Sequence, residues 1–322
     1  MENKKLIRET AIGTVITEAS SIQNLVKFID ESFVESVESI FKCKGRVIIT
    51  GIGKSAIIAQ KIVATFNSTG TPSIFMHAAD AIHGDLGIVQ KNDLVILISK
   101  SGDSPEIKVL IPLIKNLGNK TIGIVSNLES YLATYVDIVV KATVEKEACP
   151  NNIVPTSSTT AQLVIGDAIA VCLLRLRGFA LKDFAKFHPG GTIGKKLYLR
   201  VKDLCSEKNL PKVFASESIK NVIVEISSKR LGATAVLDEK NTLIGIITDG
   251  DLRRMLQHNE NIQGLKAMNI MTINPKTISA NALAADAFIL MENNNITQLI
   301  VVDNNKYVGM IHIHDILKEG II

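Results

Sequence analysis

The chain has 322 residues, 46% of them hydrophobic and 21% charged, with no Trp and a net charge of +4. That length suffices for two or three domains with real cores, and the composition is that of an ordinary globular protein. The small charge, spread without a long Lys/Arg block, argues against a nucleic-acid partner, and the dispersed Cys43, Cys149, Cys172 and Cys205 argue against a zinc knuckle or a disulfide framework. No apolar signal core follows Met1. The most apolar helical stretch, 161–174, carries Asp167 and is too short to span a bilayer. A cytoplasmic protein without a membrane partner is expected.

Residues 7–41 space their apolar side chains as two or three amphipathic helices, which either cover a sheet face or form a subunit interface. A strand–helix alternation follows. Strands are predicted at 46–50, 73–76, 93–98, 120–125 and 138–142, and helices at 55–67, 105–117, 131–135 and 160–177. Short, continuously apolar strands between helices imply an α/β fold with a parallel sheet covered on both faces. Such sheets bind ligands beyond the carboxyl ends of their strands, at a switch in strand order.

Two loops stand at such ends: Thr50-Gly51-Ile52-Gly53-Lys54-Ser55 and Ser99-Lys100-Ser101-Gly102-Asp103-Ser104. Each closes an apolar strand and opens a helix, offering hydroxyls and unpaired N–H groups where the helix dipole favours an anion. A phosphate fits there. The first loop also matches the dinucleotide fingerprint, but no acid closes the next strand, and Asp80 arrives late. A Walker A loop would need glycine where Val47 stands. In the second loop, Asp103 with Glu106 three residues on reads as a capping box, which leaves Glu106 open between capping and catalysis. Residues 155–160 are a helix N-cap with spare hydroxyls or a third donor-rich helix start. Glu147 leaves a strand end and can enter the cleft. His77 and His83, six apart with no third ligand, make a poor metal pattern. His188, ahead of Pro189-Gly190-Gly191, suits a proton carrier near neutral pH.

Past residue 191 the pattern changes to an internal repeat. Residues 232–238 and 243–252 recur as 296–303 and 307–316, each copy reading strand, turn, strand and an Asp-opened helix, with an amphipathic helix ahead of it at 218–229 and 282–293. Two units too small to bury their own cores are expected to pack as one module. The polar segment 202–216 reads as a linker.

The two loops, together with 68–72, 83–87, 146–150, 155–160 and 188–191, occur in an order and at a spacing that resemble the D-arabinose-5-phosphate isomerase family. In that family a sugar isomerase (SIS) domain precedes a pair of CBS domains. The resemblance implies a flavodoxin-like parallel-sheet SIS domain over 1–200 and an α+β CBS pair at 201–264 and 265–322. It implies interconversion of D-ribulose 5-phosphate and D-arabinose 5-phosphate through an enediol(ate), feeding 3-deoxy-D-manno-octulosonate (Kdo) and lipopolysaccharide synthesis, by a homotetramer that needs no cofactor. Lys54, Glu106, Glu147 and His188 are the implied catalytic residues, with Glu147 as C1/C2 proton shuttle, Glu106 orienting or sharing the proton work, and His188 opening the ring. Ser55, Gly70, Thr71, His77, His83, Ser99, Ser101 and Ser104 would bind substrate, and His77 falls where the family can take an inhibitory zinc. Lys100 departs from the asparagine expected there. In the CBS pair, Thr248, Asp251 and Asp315 match nucleotide-binding positions, but His312 replaces the second threonine. The expected ligand is a nucleotide or CMP-Kdo, against a pair that only props up the oligomer. The competing functions are a non-catalytic phosphosugar-sensing regulator and an isomerase of another sugar phosphate.

Overall fold

The apolar runs of the first half lie side by side in one five-stranded sheet. The computed structural model describes residues 2–205, 210–258 and 262–321, in two units that divide between Phe187 and His188. The first unit opens with helices α1 (Glu2–Asn24) and α2 (Glu31–Lys42). There follow β1 (Val47–Gly51), α3 (Lys54–Ser68), β2 (Ser73–His77), α4 (Ala78–Ala81), β3 (Leu94–Ser99) and α5 (Pro105–Asn116). The unit closes with β4 (Lys120–Val125), α6 (Tyr131–Tyr135), β5 (Ile138–Lys141), α7 (Ser157–Leu176) and α8 (Leu181–Phe187). The strands are all parallel, in the order β2-β1-β3-β4-β5. The order reverses between β1 and β3, and the carboxyl ends of those two strands carry the two Gly/Ser loops.

Every residue of β1 and β3 is buried, so alternate side chains feed two cores. Val47, Ile49, Ile96 and Ile98 pack with Phe33 and Ile40 of α2, Ile62 and Phe66 of α3, and Ile165 and Leu173 of α7. Ile48, Val95 and Leu97 pack with Ile107, Leu110 and Ile114 of α5 and Leu132 of α6. Helices α3 and α7 approach closely because position 166 is glycine, where a Cβ would collide with the Ile62 side chain. By length and composition α7 alone among the described helices could cross a membrane, but Ala161, Ile165, Ile169 and Leu173 place it in this core.

The two N-terminal helices differ in burial. Helix α2 buries Phe33, Val37 and Ile40 in the sheet-facing core. Its N-cap, Asp30, accepts from the Ser32 and Phe33 N–H groups at 3.1 and 3.3 Å and pairs with Lys141 at 2.6 Å. Helix α1 buries only Ser21 and leaves Leu6, Ile7, Ile12, Val15 and Ile16 exposed.

The second unit contains α9 (Thr192–Tyr198), α10 (Val201–Leu204), β6 (Lys212–Phe214), α11 (Ile219–Lys229), β7 (Ala233–Leu237), β8 (Leu243–Thr248), α12 (Asp249–His258) and α13 (Ala267–Ile270). It continues with β9 (Thr272–Ile273), β10 (Thr277–Ser279), α14 (Ala284–Asn293), β11 (Gln298–Asp303), β12 (Lys306–His312) and α15 (Ile313–Lys318). The repeat is visible in the pairing: β6–β7 and β10–β11 are parallel, while β7–β8 and β11–β12 are antiparallel with register shifts at Val236/Leu237 and Val301/Val302. Ala233 and Ala235 of the first copy share a buried cluster with Ile300 and Met310 of the second, so the copies form one module. The expected linker at 202–216 is not a free connector. Val201 is fully buried in the second copy's core, and the Val201 and Lys202 N–H groups donate to the Ala282 and Ala280 carbonyls, each at 2.9 Å. Reciprocally, the Ala267 N–H donates to Glu217 in the first copy at 2.8 Å. Residues 206–209 of that segment lie outside the described residues.

Candidate active site

Helix α3 starts at Lys54 with no side-chain cap, which leaves its first N–H groups available at the end of β1. Lys54 is exposed, and the Ser55 hydroxyl donates to Gln162 Oε1 on α7 at 3.1 Å. The loop after β3 folds on itself. The Gly102 N–H donates to Ser99 Oγ at 3.0 Å and the Asp103 N–H to Ser101 Oγ at 3.4 Å. Gly102 has φ of 72°, and a Cβ there would collide with Ser130, so the turn requires glycine. The expected capping box does not form. Ser104, not Asp103, is the N-cap of α5. The Asp103 carboxylate instead pairs with Lys108 at 3.0 Å and accepts from the Tyr131 N–H at 3.3 Å, interactions that hold it below the usual carboxylate range. Glu106 is therefore not a capping group. It lies half-buried on the first turn of α5, with no hydrogen bond or ion pair to any described residue.

Glu147 is the opposite case. Its side chain is fully buried, and Oε1 lies 2.6 Å from the Lys100 ammonium. Oε1 also accepts from the Ser158 hydroxyl at 2.5 Å. Oε2 accepts from the Thr156 N–H at 2.8 Å, the Ser158 N–H at 3.1 Å and the Thr156 hydroxyl at 3.1 Å. Burial would push this carboxyl up, but the Lys100 ammonium, the Ser158 hydroxyl and the two N–H groups outweigh it and lower the pKa to about 2. Glu147 thus satisfies the start of α7 in place of the Thr156 side chain, which makes no capping bond. That charged cap is why α7 begins at Ser157, three residues before its predicted start at 160.

Buried polar atoms are normally paired. Among the described residues, side-chain atoms buried without a hydrogen-bond partner are Thr50 Oγ1, His77 Nδ1, Ser104 Oγ, Ser157 Oγ, Gln162 Nε2 and Asn119 Oδ1. All but Asn119 belong to the carboxyl ends of β1 and β2 or to the helix starts beside them. That edge offers donors and acceptors that a ligand with several hydroxyl or phosphoryl groups can pair. Thr50 and Ser157 fall inside the sequence motifs, but Gln162 does not. Its signal is an amide within an otherwise apolar helical stretch, which needs a partner.

Of the other predicted residues, His77 belongs to this edge and the rest scatter. His77 ends β2 with Nδ1 at 3.5 Å from Asp80 Oδ2, and His83 is exposed. No group of three or more His, Cys, Asp or Glu able to hold a metal occurs among the described residues. Gly70 and Thr71 do not join this edge. They precede β2, at the amino end of the sheet, where the Gly70 carbonyl accepts from Arg177 at 3.2 Å and the Thr71 hydroxyl from the same guanidinium. His188 opens the second unit, and its carbonyl accepts from the Gly191 N–H at 3.1 Å.

In the repeat module, the Thr248 N–H and hydroxyl both donate to Asp251 Oδ2, at 2.8 and 2.7 Å, and Arg254 pairs with the other oxygen. These three residues line a cavity of about 300 Å³ with Thr272, Asn274 and Gln298. In the second copy the His312 N–H donates to Asp315 at 3.1 Å, and His312 Nδ1 accepts from the His314 N–H at 3.1 Å. Burial pushes the His312 pKa down.

Residues 39–172 match the SIS domain, and 201–258 and 267–321 match the CBS domain. The chain is 44% identical to the arabinose 5-phosphate isomerase KdsD of Pseudomonas aeruginosa, covering 97% of each chain. It is 46% identical to KdsD of Francisella tularensis, covering 96% of this chain and 95% of that one. A solved structure of c3406 from E. coli CFT073 in complex with arabinose 5-phosphate is 40% identical, with a TM-score of 0.56, covering 59% of this chain and all of that one.

Proposed function

The chain belongs to the arabinose 5-phosphate isomerase family and is an isomerase, and from that premise we propose that it interconverts D-ribulose 5-phosphate and D-arabinose 5-phosphate. The observation that carries this substrate assignment is the cluster of orphaned polar atoms on one sheet edge, between two helix starts suited to a phosphate, in a chain similar over nearly its whole length to KdsD enzymes.

The substrate's phosphoryl group sits on the loop of Ser99, Ser101 and Ser104, with Ser55 across from it on α3. Being remote from the reacting carbons, it orients them. A base takes the C2 proton of the open-chain aldose, the C1=C2 bond forms, and O1 takes the charge. The O2 proton passes to O1, and the proton returned to C1 closes the C2=O bond and gives the ketose. Glu106 is the better base. It is half-buried and unpaired, whereas the Glu147 oxygens accept five hydrogen bonds and ion pairs from Lys100, Thr156 and Ser158. This reverses the division of labour expected from the sequence. Lys54 stabilises the charge on O1, and the orphaned Ser157 and Gln162 groups meet sugar hydroxyls. His188 enters as the ring-opening acid–base on its motif alone. No metal takes part in these steps.

The product supplies Kdo and lipopolysaccharide synthesis in the cytoplasm. The enzyme is a homotetramer, a reading supported by the exposed apolar residues of α1. The Arg254-flanked cavity at Thr248 and Asp251 is regulatory and takes a nucleotide or CMP-Kdo. Incubating purified protein with D-arabinose 5-phosphate and resolving the sugar phosphates tests the reaction. Appearance of ribulose 5-phosphate supports it, and its absence at micromolar enzyme overturns it.

A further inference from the structure

The Lys100 ammonium is shared between two parts of the site that the sequence keeps far apart. Its backbone belongs to the loop after β3, where the Lys100 carbonyl accepts from the Ser126 and Asn127 N–H groups at 3.3 and 3.2 Å. Its ammonium reaches the buried Glu147 carboxylate, 2.6 Å away, while 41% of its own side chain stays exposed. An ammonium has three donors, and Glu147 is the one described group paired with it. The cation therefore has one side on a buried anion and spare donors, and it stands on the loop that also carries Ser99, Ser101 and the orphaned Ser104 hydroxyl. Glu147 in turn fixes the Thr156 and Ser158 N–H groups, and so the start of α7, which carries Ser157 and, one turn on, Gln162.

We propose that Lys100 is a positioning residue that couples phosphate binding to the seating of α7: its ammonium holds the Glu147 carboxylate and at the same time supplies charge and hydrogen bonds to the substrate's phosphoryl group. The proposal deepens the sugar-phosphate reading and rests on it. A phosphoryl dianion and Glu147 compete for one cation, so each tunes the other's hold on it. The loop that grips the phosphate and the turn that meets the sugar hydroxyls then respond together. A neutral side chain at position 100 would lack this link.

The test uses the full chain, with inorganic phosphate and D-arabinose 5-phosphate as probes. Hydrogen bonds between charged groups are worth roughly 1.5–3 kcal/mol, so Lys100→Gln weakens inorganic phosphate binding in calorimetry about tenfold or more and raises KM by a similar factor, with kcat within about threefold. Lys100→Arg restores both. Glu147→Gln, which frees the ammonium from its rival anion, tightens phosphate binding. If Lys100→Gln does not fold, Lys100→Arg and Glu147→Gln still decide: phosphate affinity unchanged or weaker in Glu147→Gln overturns the competition. Phosphate affinity and KM within twofold of the parent in Lys100→Gln, with only the Tm lowered, overturns the proposal by reducing Lys100 to a partner of the cap. Parent protein that binds phosphate through Lys100 but does not turn over arabinose 5-phosphate sinks the isomerase reading and leaves the Lys100 assignment standing.

Discussion

Replacing Glu147 by Gln separates a structural anion from a catalytic base. The carboxyl is held at about 2 instead of the ordinary 4.5. At about 1.4 kcal/mol per decade, ionised Glu147 contributes about 3 kcal/mol of stability at neutral pH. The folded pKa lies below the unfolded one, so this stabilisation is complete above about pH 4.5 and is lost as the pH falls toward 2. Glutamine cannot be charged, and its amide nitrogen cannot accept from the Thr156 and Ser158 groups that now donate to the carboxylate. Even with the amide oxygen turned to the α7 N–H groups, the charge at the helix start is lost and Lys100 faces an NH2 group instead of an anion. For a unit of this size, about 3 kcal/mol corresponds to a Tm lower by roughly 6–12 °C. The assay is urea unfolding of parent and variant, followed by far-UV dichroism between pH 3 and 7. The variant should lose about 3 kcal/mol at pH 7, and the gap should close as the pH falls below 4. A variant within about 0.5 kcal/mol of the parent at pH 7, the range of an uninvolved surface change, whose turnover has nonetheless collapsed, would refute the capping role and return Glu147 to proton transfer.

Glu106→Gln should lower kcat by roughly 10²–10⁴-fold, the usual contribution of a positioned base, with Tm unchanged in a thermal melt, since the carboxylate has no described partner to lose. Ser104→Ala should raise KM for arabinose 5-phosphate several-fold in steady-state kinetics while leaving kcat near the parent's, because its buried hydroxyl is unpaired without substrate. Ile7→Glu with Val15→Glu should leave the fold intact by dichroism and reduce the assembly size by light scattering, as both residues are 68% exposed within the chain. Asp251→Ala should abolish any thermal stabilisation by nucleotides or CMP-Kdo, while the same ligands raise the parent's Tm.

The sheet was legible because its strands are unbroken apolar runs and its helices open on Gly, Ser and Pro. Both Gly/Ser loops were legible for the same reason. The repeat was legible because it is local. What the sequence concealed was tertiary. Glu147 read as a cleft residue because its strand end was visible, while Lys100, Thr156 and Ser158, which consume its lone pairs, lie in other segments. The Asp103–Glu106 spacing fitted a capping box, but Pro105 at N1 moves the cap to Ser104, and Lys108 with Tyr131 takes the Asp103 carboxylate. Gly70 and Thr71 lie next to a strand but ahead of it, and a residue ahead of a parallel strand sits on the edge away from the ligand. The segment at 202–216 is polar and so read as a linker, yet Val201 just ahead of it anchors in the second repeat.

The proposed isomerisation is a proton transfer between C1 and C2 of a pentose 5-phosphate. Proton NMR of the protein with D-ribulose 5-phosphate in D₂O tests it most directly. Arabinose 5-phosphate should appear with deuterium at C2, and that exchange should be lost in Glu106→Gln and kept in Glu147→Gln wherever the latter is folded. Exchange that survives Glu106→Gln and vanishes in folded Glu147→Gln would contradict the assignment of the base, and the absence of both exchange and isomerisation in the parent would contradict the reaction itself.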